Sequence, residues 1–479
     1  MSVTNQRQRW MLAASVSLLA ACAVSPEYDK QAGQQAAKQI EQQIPMYDDT
    51  ALRQYVQRVG ARLVSQLGET PFDFQFEVLD DPAPNAFALP GGYIYISRGL
   101  LALMASEDEL ACVLAHEIIH VTQRHSVKQM KSSVLPSLAT VPGHLVGVVS
   151  SDLGQLINAP ITTGNSLLLA GYSRSHETEA DKLGIELAAQ AGYQPLAMGR
   201  ILLRMNRAIE FVTDTEREKS YFDSHPFTPE RATTADRHAQ TLQPAELDAI
   251  APQFVRTLDG LVMGENPKQG VFVEQQFLQP ELDLTLTFPS EWQTVNQASM
   301  VGAIKPDQSA FVVMQGVSND FSAKEHALRY QAQIEARYGV RRPIIEHSNQ
   351  GGETLYQVSL VDERSQPARE LSQWWFRQGA HSYQAVSMAT VSDAALTQAT
   401  LLSVRPLTEA ERMALRYHAL TIVEGKEGET LTEVHQRTGS TLSVKGLTVL
   451  NEQPDNQPLT QGQLLKVIED KPYVSARKE

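Results

Sequence analysis

The residues best suited to chemistry lie in two short clusters, His116-Glu117-Ile118-Ile119-His120 and Glu177-Thr178-Glu179-Ala180-Asp181. On a helix, positions four apart share a face, so His116 and His120 can offer two imidazoles to one ion while Glu117 lies beside them. Imidazole suits zinc, and a catalytic zinc site keeps three protein ligands plus one open position for water. Glu177 and Asp181 are again four apart, so one carboxylate can bind the metal and the other can support a ligand. Glu117 is then the expected general base. A carboxylate beside the metal takes the proton from an attacking water and can later return it to the leaving amine. By the same geometry Glu179 points away from Glu177 and reads as a surface or packing residue. His125 and His176 read as solvated or capping histidines.

Such clusters need helices to hold them. Ser106-Glu107-Asp108-Glu109 has the form of an N-cap followed by first-turn acids, and no breaker intervenes before His125; this predicts one long helix within 97–130. A second helix is expected from about Ser175 to Ala191, ended by Gly192 and Pro195. Upstream, Leu52, Tyr55, Val56, Val59, Leu63 and Leu67 recur at helical spacing and predict a helix over 48–67 with one buried face. Two alternating runs, 72–79 and 85–97, predict strands interrupted by Pro90-Gly91-Gly92. Asn85, Ala86, Phe87 and Ala88 head the second run. As an exposed strand edge beside a metal they could pair with an extended substrate backbone, and the pattern is equally compatible with an ordinary core strand pair. Residues 133–171 are apolar but broken by Pro136, Pro142, Gly143, Gly154, Pro160 and Gly164, which fails the test for a membrane span; they are expected to form helices and loops near the site, as a lid.

The two clusters together resemble peptidase family M48, whose pattern is HExxH followed by ExEAD on a later helix, and Gly184 continues the match. The resemblance implies that His116, His120 and Glu177 hold one zinc ion per chain, and that Asp181 accepts a hydrogen bond from a ligand histidine, fixing its tautomer. Ser224-His225-Pro226-Phe227-Thr228-Pro229-Glu230-Arg231 resembles the loop that follows the second catalytic helix in that family. It implies that His225 lies near the open zinc position, where it hydrogen-bonds the oxyanion or occupies the metal in a resting state, and that Arg231 organises the site electrostatically. The fold class expected is α+β multidomain: a mainly helical, zincin-type (gluzincin-like) catalytic domain with a small sheet, then an α+β domain, then a small βααβ module.

With 479 residues the chain exceeds what one core usually closes around, and its composition, 42% hydrophobic and 20% charged, is that of a globular protein. A net charge of -14 excludes a nucleic-acid partner, which would need concentrated basic surface. Arg7 and Arg9 precede an apolar run of signal-peptide length, Trp10 to Ala21. It ends in Leu19-Ala20-Ala21-Cys22, which resembles the bacterial lipobox. That implies a signal peptide over 1–21 and a lipid anchor on Cys22; because Ala23 rather than Asp follows, it also implies sorting to the outer membrane, facing the periplasm. Cys112, the other cysteine, is expected to be a small core residue, and no intramolecular disulfide is expected.

The expected units are the M48 zinc metallopeptidase domain over 22–255, an α+β accessory domain over 256–405, and a module over 412–470. In that module Gly428-Glu429-Thr430-Leu431 and the later runs 447–451 and 459–467 resemble a LysM domain, whose relatives bind peptidoglycan. The leading expectation is an envelope endopeptidase acting on unfolded or misassembled proteins, in outer-membrane protein quality control. The alternatives are a peptidoglycan-directed zinc hydrolase and a latent protease acting mainly as a chaperone-like binding lipoprotein.

Overall fold

The computed structural model describes residues 25–132, 172–212, 221–246 and 254–475; the expected signal peptide, Cys22 and the expected lid lie outside them. Among the described residues, no helix is long and apolar enough to cross a membrane.

The first core is a stack of helices on a small sheet. Helix Thr50–Val64, capped by the Asp49 side chain, buries Leu52, Tyr55, Val56, Val59 and Leu63, the face that its apolar spacing marks out. The sheet runs β1 (Gln75–Leu79), β3 (Tyr93–Ser97), β2 (Ala86–Leu89), with β1 parallel and β2 antiparallel to β3. The β2–β3 turn requires glycine, since Gly91 and Gly92 have φ of 85° and 112°, and a side chain on Gly92 would meet the Asp73 carbonyl at 2.4 Å. β2 is an edge of this sheet, and Ala86, Phe87, Ala88 and Leu89 are all buried.

The expected long helix is broken into three: Arg98–Leu103, Glu107–Thr122 and His125–Ser132. The middle one, here the motif helix, begins where Ser106 accepts a hydrogen bond from the Glu109 amide, with Glu107, Asp108 and Glu109 in its positive first turn. Beyond Thr122 the chain turns through Arg124, a non-glycine residue at φ 56°, held there as its guanidinium donates to Asp29. The motif helix is buried from Glu109 to Val121, Cys112 included. The ligand helix, Arg174–Gln190, lies against it. Gly184 permits that approach: an added Cβ would sit 3.0 Å from the His116 Cα.

Downstream, a seven-stranded antiparallel sheet spans Gln293 to Thr390, with helix Ala323–Tyr338 on one face. Its strands alternate strictly: Trp375 packs with Tyr330 and Ile334 of that helix, while Trp374 joins Leu284, Leu286, Phe376 and Leu401 on the opposite side. The last unit runs strand Arg416–Glu424, helices Leu431–Thr438 and Val444–Asn451, and strand Leu464–Pro472, with the two strands antiparallel.

This last unit is not a pendant. Strand Arg416–Glu424 also pairs with Val262–Met263, and Phe254, Leu258, Leu261 and Leu420 belong to the catalytic core. Residues 254–263 therefore pack with the catalytic core and the C-terminal unit rather than with the accessory sheet. Lys466, fully buried, donates to the carbonyls of Ala102, Leu103 and Met104 at 2.7, 3.2 and 3.1 Å. Burial, reinforced by the Arg204 charge, pushes its pKa down to about 7. Arg204 in turn donates to both carboxylate oxygens of Glu109 and to Glu452.

Candidate metal centre and active site

The motif helix presents His116 and His120 on one face, their Nε2 atoms 2.9 Å apart. The ligand helix brings Glu177 to them, with its Oε1 3.4 Å from His120 Nε2 and its Oε2 3.7 Å from His116 Nε2. The loop after helical turn Tyr221–Ser224 adds a fourth group: His225 Nδ1 is 3.0 Å from Glu177 Oε1 and 3.3 Å from His116 Nε2. One ligand atom from each of His116, His120, Glu177 and His225 lies within 4.8 Å of the others, and all four residues are buried. These four side chains can each turn one ligand atom to a common point, as metal coordination requires. The donor set, nitrogen plus one carboxylate, therefore fits zinc.

Several residues hold these donors. Asp181 Oδ1 lies 2.9 Å from His116 Nδ1, on the ring edge facing away from the cluster. Arg231 forks across the two carboxylates, its Nε and Nη2 donating to Asp181 at 2.6 and 2.8 Å and its Nη1 lying 2.7 Å from Glu177 Oε2. Thr228 caps the helix that carries Arg231, with Pro229 in its first turn, so the prolines of this loop fix where the guanidinium enters. Tyr221 stacks on the His225 ring at 4.3 Å, and Tyr172 stacks on His120 at 3.9 Å.

Glu117 is fully buried beside the cluster, both its oxygens unpartnered, with Oε1 3.6 Å from His225 Nε2. Burial raises its pKa, partly offset by the neighbouring imidazoles. Burial pulls in the same direction on Glu177 and Asp181, but His225, His120 and His116 together outweigh it for the first and Arg231 with His116 for the second, so both carboxyls are held below their usual range. Burial keeps His120 neutral, as a metal ligand must be. His225 is raised instead: Glu177 and Glu117 overcome its desolvation.

Two residues read from the sequence as peripheral are in the cluster. His125 is fully buried rather than solvated, with Nδ1 3.0 Å from His120 Nδ1 and Nε2 3.2 Å from Glu179 Oε2. Glu179 keeps a partly exposed side chain, as expected, but its carboxylate turns to His125. Tyr172 and Tyr221 were not singled out by sequence. Tyr221 stands four residues before His225, a helical spacing that could have pointed to it.

Two helical imidazoles, a carboxylate from a second helix and a further buried carboxylate without a hydrogen-bond partner beside them form a group that could hold one metal ion. Residues 50–239 of the 479 match the model of Peptidase family M48. It is 36% identical over 191 residues to the mitochondrial metalloendopeptidase OMA1 of Schizosaccharomyces pombe, covering 39% of this chain and 54% of the relative. It is 28% identical over 245 residues to the beta-barrel assembly-enhancing protease of Escherichia coli strain K12, covering 50% of each. A third relative, the metalloprotease LoiP of the same strain, is 31% identical over 153 residues, covering 31% of this chain and 56% of the relative. The chain thus spans about half the length of the curated relatives it matches.

Proposed function

We propose that this chain is a zinc-dependent endopeptidase of the bacterial cell envelope that hydrolyses peptide bonds of unfolded or misassembled outer-membrane proteins. The observation that carries the reading is the convergence of His116, His120 and Glu177 with an unpartnered, buried Glu117 at their side.

In this reading His116, His120 and Glu177 hold the zinc. When bound, zinc polarises the substrate carbonyl and lowers the pKa of water toward about 7. Glu117 takes the proton from the attacking water and delivers it to the leaving amine. Its raised pKa suits holding a proton between those steps. Asp181 fixes the His116 ring, and Arg231 holds both Glu177 and Asp181 in place and helps keep Asp181 anionic. His225 completes the ligand group, which supports a resting state in which no position is open to substrate. Withdrawn from the metal, the same imidazole could hydrogen-bond the oxyanion. Residues 85–88, leading into and along the sheet-edge strand β2, are the proposed docking line for an extended substrate backbone.

The envelope address is supported by the signal-peptide and lipobox resemblance at residues 1–22, which implies a periplasm-facing anchor on lipidated Cys22, and by the name of the Escherichia coli relative. The βααβ order of residues 416–472 supports the LysM-like reading and, through it, peptidoglycan contact. Sedimentation of the full chain with purified peptidoglycan tests that contact, and recovery in the supernatant alone rejects it.

The deciding experiment is cleavage of an unfolded β-barrel outer-membrane protein by the wild type and by Glu117→Gln, with zinc content measured for both. The expected result is equal zinc and cleavage by the wild type alone. If both bind zinc and neither cleaves, while the wild type still protects its partner from aggregation, the peptidase reading fails and the chaperone-like one replaces it.

A further inference from the structure

The two histidines of the motif helix are supported in different ways. His116 meets the Asp181 carboxylate directly, at 2.9 Å from its Nδ1. His120 has no carboxylate behind it. Its Nδ1 faces another imidazole, His125 Nδ1, at 3.0 Å, and the far nitrogen of that ring reaches Glu179 Oε2 at 3.2 Å.

The protons along this line have a single consistent arrangement. If His120 Nε2 gives its lone pair to the metal, its Nδ1 must carry the hydrogen. That hydrogen can only be donated, so His125 Nδ1 accepts it and His125 carries its own proton on Nε2. The Nε2–H then donates to Glu179, which as a carboxylate can only accept. Each of the three groups is thereby matched.

His125 is built to stay where it is. It is fully buried, its ring stacks on His176 at 4.4 Å with planes 14° apart, and it follows Arg124, whose left-handed backbone and Asp29 pairing end the motif helix there. On an unbroken helix, a residue five positions after His120 would face well away from it, since each residue turns about 100°. The break at Arg124 brings His125 back under His120.

We infer that His125, anchored by Glu179, is a positioning residue that fixes the tautomer and ring orientation of His120 for the metal. This rests on the reading of His116, His120 and Glu177 as zinc ligands. The site is thus supported on two sides by different chains: carboxylate to imidazole behind His116, and carboxylate to imidazole to imidazole behind His120. Partners behind a metal-bound histidine typically contribute about 10- to 100-fold in metal affinity.

The test uses the full chain and two readouts other than proteolysis: the zinc dissociation constant by chelator competition, and the visible spectrum of the cobalt-substituted protein. His125→Leu, which removes the acceptor, is expected to weaken zinc binding by about 10- to 100-fold and to change the cobalt bands. His125→Asn, whose amide oxygen can accept from His120, is expected to restore most of that loss. Glu179→Ala, at a side chain 44% exposed and safe for folding, is expected to show a smaller loss in the same direction. Unchanged zinc affinity and cobalt spectrum in both His125→Leu and Glu179→Ala overturn the inference. Equal losses in His125→Leu and His125→Asn with Glu179→Ala unchanged also overturn it, because they mark a packing role. Should His125→Leu fail to fold, His125→Asn against Glu179→Ala decides by the same criteria. If the wild type itself takes up no stoichiometric zinc, the ligand reading has failed instead.

Discussion

The motif helix carries a buried polar cluster at each end, and the two clusters are built on opposite principles. At its start, Glu109 takes two hydrogen bonds from Arg204, Arg204 also reaches Glu452, and Lys466 spends its donors on three carbonyls at the end of helix Arg98–Leu103. Only the Nε of Arg204 lacks a partner in that network. Further along the same helix, neither oxygen of Glu117 nor the Nε2 of His225 has a hydrogen bond, the nearest approach being 3.6 Å between Oε1 and that Nε2. An unmatched buried polar group costs roughly 1–3 kcal/mol. The joint to the C-terminal unit avoids that cost almost entirely, whereas the metal centre retains it. Unmatched groups collect where a ligand and a substrate have to be met, and matched ones where two units must stay together.

The contrast can be broken from either end. The largest effect is expected at the metal end: Glu117→Gln should lower the cleavage rate by about 10²- to 10⁴-fold while leaving zinc content intact, measured on an unfolded substrate. Next, Glu109→Ala at the joint leaves the buried Arg204 with only Glu452 and the Leu103 carbonyl and should destabilise the protein by about 1–3 kcal/mol in urea unfolding. It leaves every proposed zinc ligand in place, so zinc uptake under native conditions should persist. A smaller change is expected from His225→Ala. If the fourth donor contributes about 1.4 kcal/mol to holding the metal, this variant should release zinc roughly tenfold more readily in chelator competition; unchanged retention would show that His225 does not reach the metal.

The most gradual effect is a pH slope. Lys466 has its folded pKa lowered by burial to about 7, so between there and about 10.4 the unfolded chain holds a proton that the folded one does not. Unfolding therefore takes up a proton in that window, and stability should rise with pH across it, by no more than about 1.4 kcal/mol per unit. Lys466→Met should flatten this rise, as read from melting temperatures between pH 7 and 10.

Local rules made part of this legible in advance. The i, i+4 spacing alone brings His116 beside His120 and Glu177 beside Asp181, and alternation alone sends Trp374 and Trp375 to opposite faces of the accessory sheet. Long-range features escaped. The position of His125 depends on a left-handed residue, Arg124, whose conformation is set by Asp29 far upstream. The joint depends on Lys466 meeting carbonyls at 102–104, a pairing with no local signature. The burial of β2 depends on what packs over it, which a strand pattern does not encode.

Arg231 has a further consequence when charges rather than contacts are counted. The buried centre holds three carboxylates, Glu117, Glu177 and Asp181, and one guanidinium, so with its imidazoles neutral it carries two negative charges. A dication brings that total to zero. A monovalent ion would leave a net charge in a low-dielectric pocket, and a trivalent one would create the opposite charge. Electroneutrality thus selects valence before ligand geometry selects the element, and Arg231 sets the balance: without it the same pocket would call for three positive charges.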